Sequence, residues 1–180
     1  SLTEASQLKG GTTGYRIITI TPAAAKDSTI RYNGTTLMQG ETIKDGKGGT
    51  ATVDRENNTI TLKNFNGTAL SFDATLADST LVLEGTNTLS SIVTTQKGLT
   101  ISGSGSLTVG SIQVPNNTRH TANLTITDGA AVIAKSNEKR AIDVNGSLTV
   151  TGASLTATSN SDNVPTVQVG GNATFTGSTV

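Results

Sequence analysis

Cysteine and tryptophan are absent from the 180 residues, histidine and methionine occur once each, and proline occurs three times. Without cysteine there is no disulfide, no thiolate zinc site and no cysteine nucleophile. This does not place the chain in the cytoplasm, because many exported bacterial proteins are also built without cysteine. Charge is scarce too, at 14% of residues against roughly 25% in an average globular protein. The 13 basic and 13 acidic side chains cancel, which excludes disorder driven by net charge. A pI near 6.5 with no Lys/Arg run offers no basic face for phosphates, and so excludes nucleic acid as a partner. No apolar run approaches the roughly 20 residues needed to cross a bilayer, and the N-terminus has no charged-then-apolar export pattern. The chain reads as soluble, either mature or trimmed.

Threonine, serine, asparagine and 20 glycines take the place of the missing types. They are poor in helix interiors and common in strands and turns, so the composition excludes a helical bundle and points to an all-β chain.

A repeat organises the second half. Leu99-Thr100-Ile101, Leu124-Thr125-Ile126, Leu148-Thr149-Val150 and Ala173-Thr174-Phe175 start 25, 24 and 25 residues apart. Upstream, Leu81-Val82-Leu83 precedes the first by 18 residues and Ile60-Thr61-Leu62 precedes that by 21. Each period holds a second apolar triplet (Leu107–Val109, Val132–Ala134, Leu155–Ala157) and a third (Ile112–Val114, Ile142–Val144, Val167–Val169). Alternating strand side chains send the outer two residues of a triplet inward and the middle one outward. Such strands bury a core only when the same strand of successive periods stacks about 4.8 Å away, giving parallel sheets with an aliphatic inner face. Three sheets then enclose a prism. The expected fold is a right-handed parallel β-helix of three short strands per coil and 18–25 residues per coil. An antiparallel sandwich also uses short strands and polar turns, but has no reason to repeat residue types at a constant period.

Glycines mark the corners. Gly103, Gly129 and Gly152 mark the turn after the first strand; Gly98, Gly146, Gly170 and Gly171 follow the third, where a sharp bend is expected to need positive φ. Before Ile60 the pattern changes. Tyr15 to Ile20 reads as a longer strand stopped by Pro22. Ser28–Tyr32 and Thr35–Met38 flank the Asn33-Gly34 turn of a hairpin, and Ala51–Val53 with Thr59–Phe65 form a second. Residues 1–50 are expected to cap the stack, which would otherwise expose strand edges, and 51–180 to form the β-helix. The C-terminal Gly171 to Val180 starts another coil, so the natural polypeptide is expected to continue or to be covered there.

The runs Gly49-Thr-Ala-Thr-Val-Asp-Arg-Glu-Asn-Asn-Thr-Ile-Thr-Leu-Lys-Asn64, Leu81-Val-Leu-Glu-Gly-Thr-Asn-Thr-Leu89 and Gly98-Leu-Thr-Ile-Ser-Gly-Ser-Gly-Ser-Leu-Thr-Val109 resemble repeat-rich secreted or cell-surface proteins of Gram-positive gut bacteria, often labelled carbohydrate-binding. The resemblance covers roughly residues 30 to 175. It implies the β-helix fold shared with pectate-lyase-like enzymes, an extracellular or surface-attached location and a glycan partner.

The residues supply no catalytic set. Outward positions of the third strand read Gln113, Asp143, Gln168, and one carboxylate between two amides is not an acid/base pair. His120 stands alone in a loop; a lyase using Arg119 or Arg140 as base is the enzymatic alternative. Two loops interrupt successive coils at equivalent corners, Lys135 to Arg140 and Ser159 to Asn163. With Asp143 they define a candidate groove in which Lys135, Lys139 and Arg140 hold a uronate carboxylate while Asn160, Asp162 and Asn163 bind hydroxyls or calcium. Apart from that calcium no cofactor or metal is implied. With stacking platforms nearly absent, an acidic glycan is favoured over a neutral one. The bland alternative is that these are solvated loop tips. Thr-x-Thr runs at Thr125, Thr149 and Thr174 suit an ice-contacting array, yet β-branched Thr suits any exposed strand position, and the second residue of each pair adjoins a turn glycine. The resulting expectation is a non-enzymatic, exported adhesive or glycan-binding part of a larger surface protein, with a lyase and a plain spacer as rivals.

Overall fold

The structure, a computed structural model, describes residues 28–74, 77–115 and 122–180. The strand expected at Tyr15 to Ile20, and Arg119 and His120, lie outside the described residues. Within them there are nineteen strands and no helix. Hairpin strands β1 (Ser28–Tyr32) and β2 (Thr35–Thr36) turn at Asn33 and Gly34, both at positive φ, as the Asn-Gly signal demands. A short strand that the hydrophobic pattern does not announce, β3 (Thr42–Lys44), pairs antiparallel with β4 (Thr50–Asp54), which pairs antiparallel with β5 (Thr59–Lys63).

From β5 onward coils stack in parallel. The first continues into β6 (Ala69–Ala74), the second comprises β7 (Ser79–Glu84), β8 (Thr86–Leu89) and β9 (Ser91–Thr94), and the third β10 (Leu99–Ser102), β11 (Ser106–Val109) and β12 (Ile112–Val114). The fourth comprises β13 (Leu124–Ile126), β14 (Ala131–Ser136) and β15 (Ile142–Val144), and the last β16 (Leu148–Thr151), β17 (Ser154–Ser159) and β18 (Val167–Val169), followed by β19 (Ala173–Thr176). Three sheets of eight, seven and four strands result, in the orders β19-β16-β13-β10-β7-β5-β4-β3, β18-β15-β12-β9-β6-β1-β2 and β17-β14-β11-β8. The chain is a parallel β-solenoid of about five turns.

The register stacks like on like. Ile60, Leu81, Ile101, Ile126, Val150 and Phe175 form one inward column of the large sheet, and Leu70, Ile92, Ile112, Ile142 and Val167 another in the seven-stranded sheet. Most of these are fully buried, but Val167 and Phe175 in the last coil are 38% and 47% exposed, because each coil is covered only by its neighbours. One expected alignment is corrected. Leu81 pairs with Ile101 and Ser79 with Leu99, a step of 20 residues rather than 18. The two-residue slip preserves inward and outward parity, and leaves Leu83 beyond the end of β10, where its carbonyl accepts the Gly105 amide at 3.0 Å.

The corner glycines divide into two kinds. Gly103, Gly129 and Gly152 do adopt positive φ. Gly98, Gly146, Gly170 and Gly171 do not, contrary to expectation. They sit where coils approach so closely that a Cβ would strike the next coil, as at Gly98, 2.7 Å from the Asn123 carbonyl oxygen. Inside the prism the second-strand column begins with a polar residue, Asn87, in register with Leu107, Val132 and Leu155. Its amide donates to the Glu84 and Ser106 carbonyls, and its Oδ1 accepts the Phe65 amide at 2.8 Å. A buried amide so satisfied costs little. Thr94, opposite Phe72 and 1% exposed, has no partner for its hydroxyl.

Asp45 ties the N-terminal hairpins to the first coil by accepting amides of Asn66 and Gly49 at 2.9 Å and Lys47 at 2.7 Å. These bonds, that from Asn66 foremost, hold its carboxyl below the ordinary 3.8, because a charged acceptor is favoured by donors. A carboxyl lowered by folding stabilises the protein above its unfolded pKa, and this contribution disappears as pH falls through the folded value. Asp45→Ala is therefore expected to melt below wild type near neutral pH, with the gap closing as pH falls below 3.8 through the lowered folded value. Circular-dichroism melts across pH check this; a gap independent of pH would contradict it. Thr94→Val, nearly the same shape without the orphaned hydroxyl, is expected to raise stability by about 1–2 kcal/mol in chemical denaturation.

Candidate functional site

The two corner loops belong to neighbouring coils because β14 and β17 run in register from Ala131↔Ser154 to Ser136↔Ser159. That pairing brings the expected residues to one corner. Backbone and side-chain bonds then join the loops. The Asn160 amide donates to the Ser136 carbonyl at 3.0 Å, its side-chain amide to Asn137 Oδ1 at 3.1 Å, and Ser159 Oγ to the Lys139 carbonyl at 3.0 Å. Ser136 is 7% exposed, and its hydroxyl accepts the Lys139 amide at 3.2 Å. The far ends of the loops also meet, since the Thr166 carbonyl accepts the amides of Ala141 and Ile142.

Ser136, Asn137 and Ser159 are thus the staples of this corner, and no apolar pattern marks them. Small polar residues clustered between strands read alike whether they bridge loops or face water.

Arg140 and Asp143 form an ion pair at 3.3 Å, each about one-third exposed. Their three-residue spacing across the entry to β15 lets the guanidinium fold back over the strand. Arg140 Nε is enclosed and has no partner. Lys135 and Lys139 are exposed, and their ammonium groups have no carboxylate partner among the described residues. Asn160 donates one amide hydrogen to the neighbouring loop, so its Oδ1 and its second N–H stay available to a ligand. Asp162 and Asn163 lie exposed on the second loop, and the Asn163 backbone amide bonds Ser161 Oγ at 3.4 Å. Asp143 stands between Gln113 and Gln168 in an outward column confirmed by register, and no group of three or more His, Asp or Glu side chains capable of holding a metal is found among the described residues.

The outward side of the large sheet is of another kind. One column reads Thr59, Thr80, Thr100, Thr125, Thr149, Thr174, in register throughout. Two residues further along each strand a second column holds Thr61, Val82, Ser102, Thr151 and Thr176, with Thr127 between the last Ser and Thr pairs. The concern that a turn glycine displaces these second residues is met by pairing: Ser102, Thr151 and Thr176 lie within strands, and the Thr127 amide bonds the Ile101 carbonyl at 2.9 Å.

If the Asn137 side chain holds the two loops together, Asn137→Ala is expected to speed amide exchange across residues 137–140 and 159–163 while costing less than about 1 kcal/mol overall. Hydrogen–deuterium exchange by mass spectrometry reads this, and unchanged protection would assign the corner's order to the backbone alone. Comparison of the chain with protein-family models, with curated proteins and with solved structures finds no match.

Proposed function

We propose that this β-solenoid is a non-enzymatic binding part of an exported bacterial surface protein, and that it grips an acidic glycan at the corner formed by the two stapled loops. The observation that carries this reading is the juxtaposition of the exposed Lys135 and Lys139, with the Arg140 guanidinium, beside an adjacent loop offering Asn160, Asp162 and Asn163. Cationic donors next to amide and carboxylate acceptors suit a sugar that carries a carboxylate among hydroxyls. The loops are already cross-bonded, so binding would order few side chains. The outward Gln113–Asp143–Gln168 column supports binding over cleavage, because hydrolysis of a glycosidic bond draws on two carboxylates.

Isothermal titration with polygalacturonate tests the proposal. Wild type is expected to bind, more weakly as salt rises. Lys135→Glu combined with Lys139→Glu should weaken it about tenfold or more, the scale of losing charged anchors. Absence of binding by wild type, with or without calcium, leaves a spacer. Ultraviolet-absorbing unsaturated products would instead make the chain a lyase.

A further inference from the structure

From the threonine columns of the large sheet we infer a second, separate surface whose partner is crystalline water. Four observations converge on it. The first column is in register over six rungs; in the second, Thr151 is registered on Thr176 and the Thr127 amide bonds the Ile101 carbonyl of the coil below, so hydroxyls and methyls recur about 4.8 Å apart between paired rungs and about 6.7 Å apart along each strand. Oxygen rows on the prism faces of hexagonal ice repeat at closely similar intervals in two perpendicular directions.

Next, five successive hydroxyls, those of Thr80, Thr100, Thr125, Thr149 and Thr174, have no hydrogen-bond partner within the described protein. Thr59, at the N-terminal end of the column, is spent on the Asn57 carbonyl at 3.0 Å, and off the array Thr95 bonds Asp73 at 2.6 Å and Thr42 bonds Thr52 at 3.1 Å. Thr127 alone in the array leans on a charged neighbour, Asp128, at 3.4 Å.

Third, no array position is charged; the outward charges of the same sheet nearest to it, Lys63 and Glu84, pair with each other one outward position beyond Thr61 and Val82, on the first two coils. A charge would impose its own hydration shell and break any water lattice laid on the surface.

Last, Thr80, Thr100, Thr125 and Thr149 are only partly exposed, each packed between rungs above and below. A β-branched side chain so confined has few χ1 states to lose, so the array gives up little entropy on contact with its partner. A flexible polysaccharide, by contrast, would have to be fixed by hydroxyl bonds alone, each worth little net against water, with no aromatic ring to stack on. That weighs for ice over a neutral glycan on this face.

The test uses the full 180-residue chain in an ice-recrystallisation assay, with microcrystalline cellulose pull-down as a second arm. Wild type is expected to keep ice grains small at micromolar concentration. Thr149→Lys, in the middle of the array, should require at least about tenfold more protein, as loss of a central contact does. Thr108→Lys, outward on the four-stranded sheet, should match wild type, and equal melting temperatures show that all three proteins fold. Grain growth as fast with wild type as with an inert protein overturns the inference, as does a Thr149→Lys variant equal to wild type. Retention on cellulose that Thr149→Lys abolishes, without any effect on ice, also overturns it and hands the face to a hydroxylated polymer. None of these outcomes bears on Lys135 and Lys139, which act at another corner.

Discussion

Parallel backbone pairing between equivalent strands is the constraint from which the rest of the molecule follows. When Leu99, Leu124 and Leu148 exchange main-chain bonds in register, each side chain must lie on a copy of itself, inside and outside alike. An aliphatic inner column can then be filled without designed interdigitation, since a Leu on Leu spacing of about 4.8 Å is near van der Waals contact. The same rule stacks outward positions one above another, so a residue type kept from coil to coil, as Thr is from Thr59 to Thr174, becomes an ordered row.

Repetition also explains where chemistry can collect. A sheet held in strict register gives each outward position one kind of neighbour, whereas a corner can lengthen without disturbing the strands it joins. The loops beyond Ser136 and Ser159 use that freedom. They gather Lys, Arg, Asn and Asp at one place, whereas the threonine columns of the large sheet carry no charge. Two surfaces of opposite design therefore sit on one scaffold: a varied, charged corner and a uniform hydroxyl face.

The coil architecture was legible because alternation and period are both written in residue type: the Leu-Thr-Ile triplets state their facing and their spacing at once. Legibility fails where geometry is decided between coils. Leu81-Val82-Leu83 resembles the later triplets but pairs two residues out of that alignment, and only the Gly103 turn, placed against Leu83, reveals why. Gly98 and Gly146 look like turn glycines, yet are glycine because a neighbouring carbonyl occupies the space. Asn87 carries no sign that it points inward, since its bonds are to carbonyls 2, 3 and 19 residues away. At the corner the charged residues were readable; the Ser136, Asn137 and Ser159 staples were not, being bonds across 20 or more residues in two of three cases.

Antiparallel hairpins occur only at one end. The pairs β1–β2 and β4–β5 join residues close in sequence, whereas every parallel pair must first close a loop of about twenty residues, at an entropic cost repaid only once the coil docks. The N-terminal hairpins are thus the cheapest nucleus, and each completed turn becomes the template for its successor. Each coil is held by the coils beside it, so opening need not be all-or-none along the axis, and a coil covered on one side frays before one flanked on both.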